Sequence, residues 1–102
     1  MGRGYRGTIE QLQAGETIQF RPVGNSMTPR VESGALVTVE PIKDHSLIER
    51  GDVVLCKVRG NVYLHLVSAV KDGQFQISNN HGHINGWTSA AKVYGKLVKM
   101  EE

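Results

Sequence analysis

Only one cysteine, Cys56, occurs in the 102 residues. An intramolecular disulfide is therefore excluded, as is any zinc site built on paired Cys-x-x-Cys motifs. Aromatic residues are scarce, at 6%, which leaves little for stacking nucleic-acid bases. Neither sign of charge dominates: 12 basic against 10 acidic residues leave a net charge of +2, so composition makes no electrostatic case for a nucleic-acid partner. Long apolar runs are also missing. The longest is about four residues, Val53-Val54-Leu55-Cys56, against the roughly 20 that a membrane-spanning helix needs. Arg3 and Arg6 are followed by no apolar stretch, so no secretory signal is expected. Gly2 lacks the Ser or Thr that a myristoylation motif places where Arg6 stands. What remains is ordinary: 39% hydrophobic residues and 12 glycines describe a globular chain of single-domain size. The expectation is one soluble, cytoplasmic domain with no cofactor.

Residues 1–7, with three glycines and two arginines, read as a flexible basic arm ahead of a domain at 8–102. Thr8-Ile9-Glu10-Gln11 fits a capping box, and Ile9 and Leu12 share a helical face up to a stop at Gly15. A helix of about two turns cannot stand alone and must pack on something. Thereafter the pattern is β. Strands are expected at 17–21, 35–39, 52–58, 62–70, 74–78 and 93–100, with hairpins at Gly60-Asn61 and Asp72-Gly73. The strand at 52–58 is apolar on both phases, as in a strand covered on both faces. Residues 79–86 read as a polar loop, and Thr88 as the cap of a short helical turn through Ala91. Six short strands and no βαβ alternation predict a mostly β fold, a barrel or sandwich, with one short N-terminal helix.

Gly24-Asn25-Ser26-Met27-Thr28-Pro29 stands out. Gly24 permits a sharp turn, and Pro29 blocks a helix and restrains Thr28. A serine on a rigid turn beside crowded backbone N–H groups suits a nucleophile with an oxyanion hole; an ordinary surface turn has the same composition. A serine nucleophile needs a base. Of His45, His65, His81 and His83, only His65 lies inside a strongly β-patterned stretch, where it has little freedom. Its alternative is a partly buried histidine satisfied by a backbone carbonyl. His81-Gly82-His83, with His65, could form a three-nitrogen zinc site, but no carboxylate or thiolate cluster supports it, and no metal is expected. Cys56, in the two-faced strand, reads as a buried, inert thiol.

Four blocks in order carry a resemblance. They are Gly24-Asn25-Ser26-Met27-Thr28-Pro29, then Glu32 through Val39, then Gly51-Asp52-Val53-Val54-Leu55, and finally Ile77-Ser78-Asn79-Asn80 through Val93-Tyr94-Gly95-Lys96-Leu97-Val98. Together they resemble the LexA and type I signal peptidase superfamily of serine peptidases, over about residues 16–99. The resemblance implies a coiled, partly open β-barrel with Ser26 as nucleophile. Bacterial signal peptidases and LexA-type members use a lysine as base; this sequence has His65 at that place, as the endoplasmic-reticulum-type signal peptidases have histidine. Those use an aspartate to help it. Here amides stand instead, so the resemblance implies that Asn79 or Asn80 orients His65, with backbone N–H groups at Ser26 and Met27 holding the oxyanion.

The first functional expectation is a small serine peptidase that hydrolyses a peptide or protein substrate, or itself, through a Ser26–His65 dyad. Ala14-Gly15 matches the kind of bond at which LexA cuts itself, although it also reads as the helix stop. The second is a catalytically weak or inactive module that binds a regulatory protein partner, within a phage or mobile element; the lack of a membrane anchor, a DNA-binding domain and the aspartate motivates it. A homodimer through the β-domain is expected by resemblance. Nucleic-acid binding through Arg3, Arg6, Arg21, Arg30 and Lys43 is disfavoured because those charges are scattered.

Overall fold

The computed structural model describes residues 6–102. Most of the basic arm, residues 1–5, lies outside the described residues. Arg6 and Gly7 belong to the helix, α1 (Arg6–Gln13), which begins two residues before Thr8. Its end follows the sequence closely. Gly15 takes a φ of +88°, Gly15 N–H donates to Leu12 and Glu16 N–H donates to Gln11. This pair of bonds satisfies the last carbonyls of the helix. Leu12 is buried and Ile9 packs beside it, so the helix gains its stability from the sheet beneath it.

Among the described residues, seven strands form one antiparallel sheet. They are β1 (Ile18–Phe20), β2 (Leu36–Pro41), β3 (Val53–Val58), β4 (Asn61–Lys71), β5 (Gln74–Ser78), β6 (Ile84–Ser89) and β7 (Val93–Glu101). The order across the sheet is β1-β2-β7-β3-β4-β5-β6. The two end strands, β1 and β6, stay unpaired with each other, so the sheet is not closed into a barrel, in keeping with the partly open form expected. The sheet nevertheless curls: Thr88 Oγ1 of β6 donates to Lys57 O of β3 at 2.7 Å. Both hairpins are two-residue turns. Arg59 and Gly60 take φ of 51° and 84°, and Asp72 and Gly73 take 51° and 75°, the positive pair that a type I′ turn requires. The first turn sits one residue earlier than Gly60-Asn61, because Val58 pairs with Asn61.

Strand β6 is the element that the sequence reading missed. Residues 84–86, expected in a loop, and Thr88, expected as a helix cap, all belong to it. Its alternation is inverted: Gly86 and Thr88 are buried while Ile84 and Trp87 are exposed. The short turn that follows, Ala90–Lys92, has Ser89 as its cap residue, without a side-chain bond.

The core forms two clusters. Val53, Leu55 and Leu64 join Leu12, Met27, Val37 and Val39 in one. Val54, Cys56 and Val58 join Val67, Phe75, Ile77 and Val93 in the other. Strand β3 thus contributes alternate residues to both, as its two-phase apolar pattern implies. Cys56 is fully buried, and burial pushes its thiol pKa up to about 12. Gly95 of β7 lies under the helix: a Cβ there would stand 2.6 Å from Val39 Cγ1 and 2.9 Å from both Glu40 O and Leu12 Cδ1. Among the described residues, no helix is long and apolar enough to cross a membrane.

Candidate active site

Ser26 sits on the connection between β1 and β2, and its fixed position has a local cause. Gly34 N–H donates to Pro22 O and Arg21 Nη1 donates to Gly34 O, closing the base of the loop. Gly24 takes a φ of +110°, and its N–H donates to Ser33 Oγ. Met27 and Val31 are buried in the first core cluster, and Val31 N–H donates to Met27 O. Thr28 Oγ1 donates to Asn25 O. Met27 therefore anchors the turn from below while Ser26 stays exposed. Among the described residues, the backbone N–H groups of Ser26 and Met27 make no hydrogen bond.

His65 lies in β4, 7% exposed. Its Nε2 is 3.1 Å from Ser26 Oγ, and its Nδ1 is 2.7 Å from Asn85 Oδ1 in β6. An amide oxygen only accepts, so Nδ1–H donates to it. Nε2 is then bare and accepts the Ser26 hydroxyl proton. The Tyr63 ring stacks on the imidazole, centroids 4.6 Å apart and planes 23° from parallel. Tyr63 precedes His65 by two on the same strand, so alternation alone puts both on one face. Burial holds the His65 pKa below the ordinary histidine value of 6.5; the hydrogen bond that Nδ1–H donates to Asn85 opposes this, and electrostatic repulsion from His83 adds to it. A neutral imidazole beside a serine hydroxyl is the form that can act as a general base.

The two asparagines expected to orient His65 do other work. Asn79 Oδ1 accepts from the N–H groups of His81 and His83, at 2.8 and 2.9 Å, and so shapes its own loop. Asn80 braces the Ser26 turn: its N–H donates to Ser26 O at 2.8 Å, its Nδ2 donates to Thr28 O, and its Oδ1 accepts from Arg30 Nε. Both follow β5 directly, whereas the residue that reaches His65 comes from the returning strand. His81 Nε2 faces Asn25 O at 2.9 Å, so the three histidines do not gather; among the described residues, no group of three or more His, Cys, Asp or Glu is placed to hold a metal. The Ala14-Gly15 bond lies in the capped end of α1. Arg21 and Arg30 bind loop groups of the site.

A cleft of about 140 Å³ opens beside Ser26 and His65. Val23, Val31, Val62 and Leu64 supply apolar wall, and Glu32 contributes a carboxylate. A serine, a neutral imidazole, free N–H groups and an adjoining cleft are the parts that acyl transfer requires.

A family model described as Peptidase S24-like matches residues 7–98. The chain belongs to the Peptidase S24-like family. The match spans both the Ser26 turn and the strands that carry His65 and Asn85, so the site lies inside the shared domain. A search of curated proteins found no match.

Proposed function

We propose that this S24-like protein hydrolyses a peptide bond, with Ser26 as nucleophile and His65 as general base. The carrying observation is the 3.1 Å approach of His65 Nε2 to Ser26 Oγ, with Nδ1 occupied at 2.7 Å. His65 Nε2 takes the hydroxyl proton as Oγ attacks the scissile carbonyl carbon. The N–H groups of Ser26 and Met27 face the developing oxyanion. The imidazolium then gives its proton to the leaving amine, which departs and leaves an acyl-Ser26 ester. Water, deprotonated by His65, hydrolyses that ester and restores both residues. The substrate is a peptide or protein segment extended enough to enter the cleft, with an apolar side chain against Val23, Val31 and Val62.

The test is digestion of a mixed peptide library, with products sequenced by mass spectrometry. The expected result is a set of cleavages by the wild type that Ser26→Ala abolishes. Cleavage that persists undiminished in Ser26→Ala overturns the proposal.

A further inference from the structure

We infer that Asn85 is the positioning residue for His65, turned onto Nδ1 by a bulge in β6, so that the site is a Ser26–His65–Asn85 set. The inference rests on the reading of Ser26 and His65 as nucleophile and base.

The register carries the argument. Ile77 pairs with Gly86 and Ser78 pairs with Ile84, which leaves Asn85 without a cross-strand partner. An extra residue of this kind bends the strand and re-aims a side chain, and such bulges cluster beside active sites. Gly86 makes the bend possible. Its φ of +138° lies in the region that favours glycine. A Cβ there would come within 3.3 Å of Val58 Cγ1 and 3.4 Å of Arg59 Nε, so the strand seats closely on the first hairpin. From this bulge Asn85 Oδ1 accepts the Nδ1 proton at 2.7 Å. That bond selects the tautomer with a bare Nε2, the tautomer the Ser26 hydroxyl needs. Tyr63 covers a face of the ring, so rotation is restrained by stacking and by the amide together.

An amide fixes orientation but adds no charge, so the imidazolium formed during attack is stabilised less than beside a carboxylate. The other titratable groups near the ring are Tyr63 on its own strand, His83 ahead of β6, and Glu32 across the cleft. None of them occupies Nδ1.

The experiment combines a titration with a rate. The His65 ring is followed by nitrogen NMR in the Ser26→Ala protein, with and without Asn85→Ala or Asn85→Asp. The expected tautomer in Ser26→Ala is Nδ1–H. Asn85→Ala mixes the tautomers and lowers the His65 midpoint further, because a bond that favours the charged ring is gone; Asn85→Asp raises the midpoint. In proteins that keep Ser26, Asn85→Ala slows phosphonylation of Ser26 by a fluorophosphonate about tenfold to a hundredfold. Asn85→Asp restores the rate above its raised midpoint. The conservative variant guards against a fold-wide effect of Asn85→Ala. A tautomer and midpoint that ignore both substitutions overturn the role of Asn85 alone. A Ser26 that never reacts in the wild type overturns the peptidase reading alone.

Discussion

The backbone N–H of Asn80 donates to the carbonyl of Ser26 at 2.8 Å, tying the loop after β5 to the turn that carries Ser26. The Asn80 side chain adds bonds to Thr28 O and from Arg30 Nε. Asn80→Ala keeps the backbone bond and removes both others. The expected loss is about 1–2 kcal/mol of stability, with slower reaction of Ser26 because the turn is less well held. Denaturant unfolding and a phosphonylation rate measure the two effects. A variant with unchanged midpoint and unchanged rate contradicts the bracing role.

Under the proposed mechanism, the acid limb of activity follows from His65. Burial lowers its folded pKa below 6.5, so the ring stays neutral to a lower pH than an exposed histidine allows. The sign for stability is the same. Neutral His65 is favoured in the folded protein, so the contribution is present above the unfolded value and is lost as pH falls through the folded one. The pH profile of Ser26 phosphonylation is expected to fall on the acid side with a midpoint below 6.5. A midpoint above 6.5 contradicts the account.

Gly95 is a prediction about packing. A Cβ there meets Val39 Cγ1, Glu40 O and Leu12 Cδ1 at under 3 Å, and one of these is backbone. Gly95→Ala is expected to cost about 1–3 kcal/mol, because the helix must lift from β7. Chemical denaturation checks it; an unchanged midpoint means that α1 is not seated there.

Cys56 is expected to stay silent in the native state. It is fully buried and its thiol pKa is pushed up to about 12, so little thiolate exists at neutral pH. A disulfide reagent should label it only after unfolding. Fast labelling of the native protein contradicts its place between the strands.

Much of this arrangement is legible in the chain because its determinants are local. Gly24 and Pro29 punctuate the Ser26 turn, alternation places Tyr63 and His65 on one face, and the two-phase apolar run marks β3 as buried on both sides. The I′ turn at Asp72-Gly73 follows from its residues, whereas the one at Arg59-Gly60 falls one residue before the expected Gly60-Asn61. Asn85 was not legible, for a physical reason. Its strand carries glycine and threonine on the buried phase and isoleucine and tryptophan on the exposed one, the reverse of the usual signal. Its direction also depends on a one-residue bulge against β5, which no period of two reveals. Asn79 and Asn80 drew the orienting role because they lie next to the end of β5 in sequence, while the residue that reaches His65 arrives only after the chain reverses. The early start of α1 has a similar character: Thr8-x-x-Gln11 marks a cap in pattern, yet the helix continues two residues before it.

The most direct test of the central claim is the intact mass of the protein after exposure to a fluorophosphonate. Oγ attack on phosphorus expels fluoride only if His65 takes the hydroxyl proton. The account predicts a single adduct on Ser26 in the wild type, none in Ser26→Ala, and a rate at least about a hundredfold lower in His65→Ala. No adduct in the wild type, or an equal rate in His65→Ala, contradicts it and leaves a binding module on a peptidase fold.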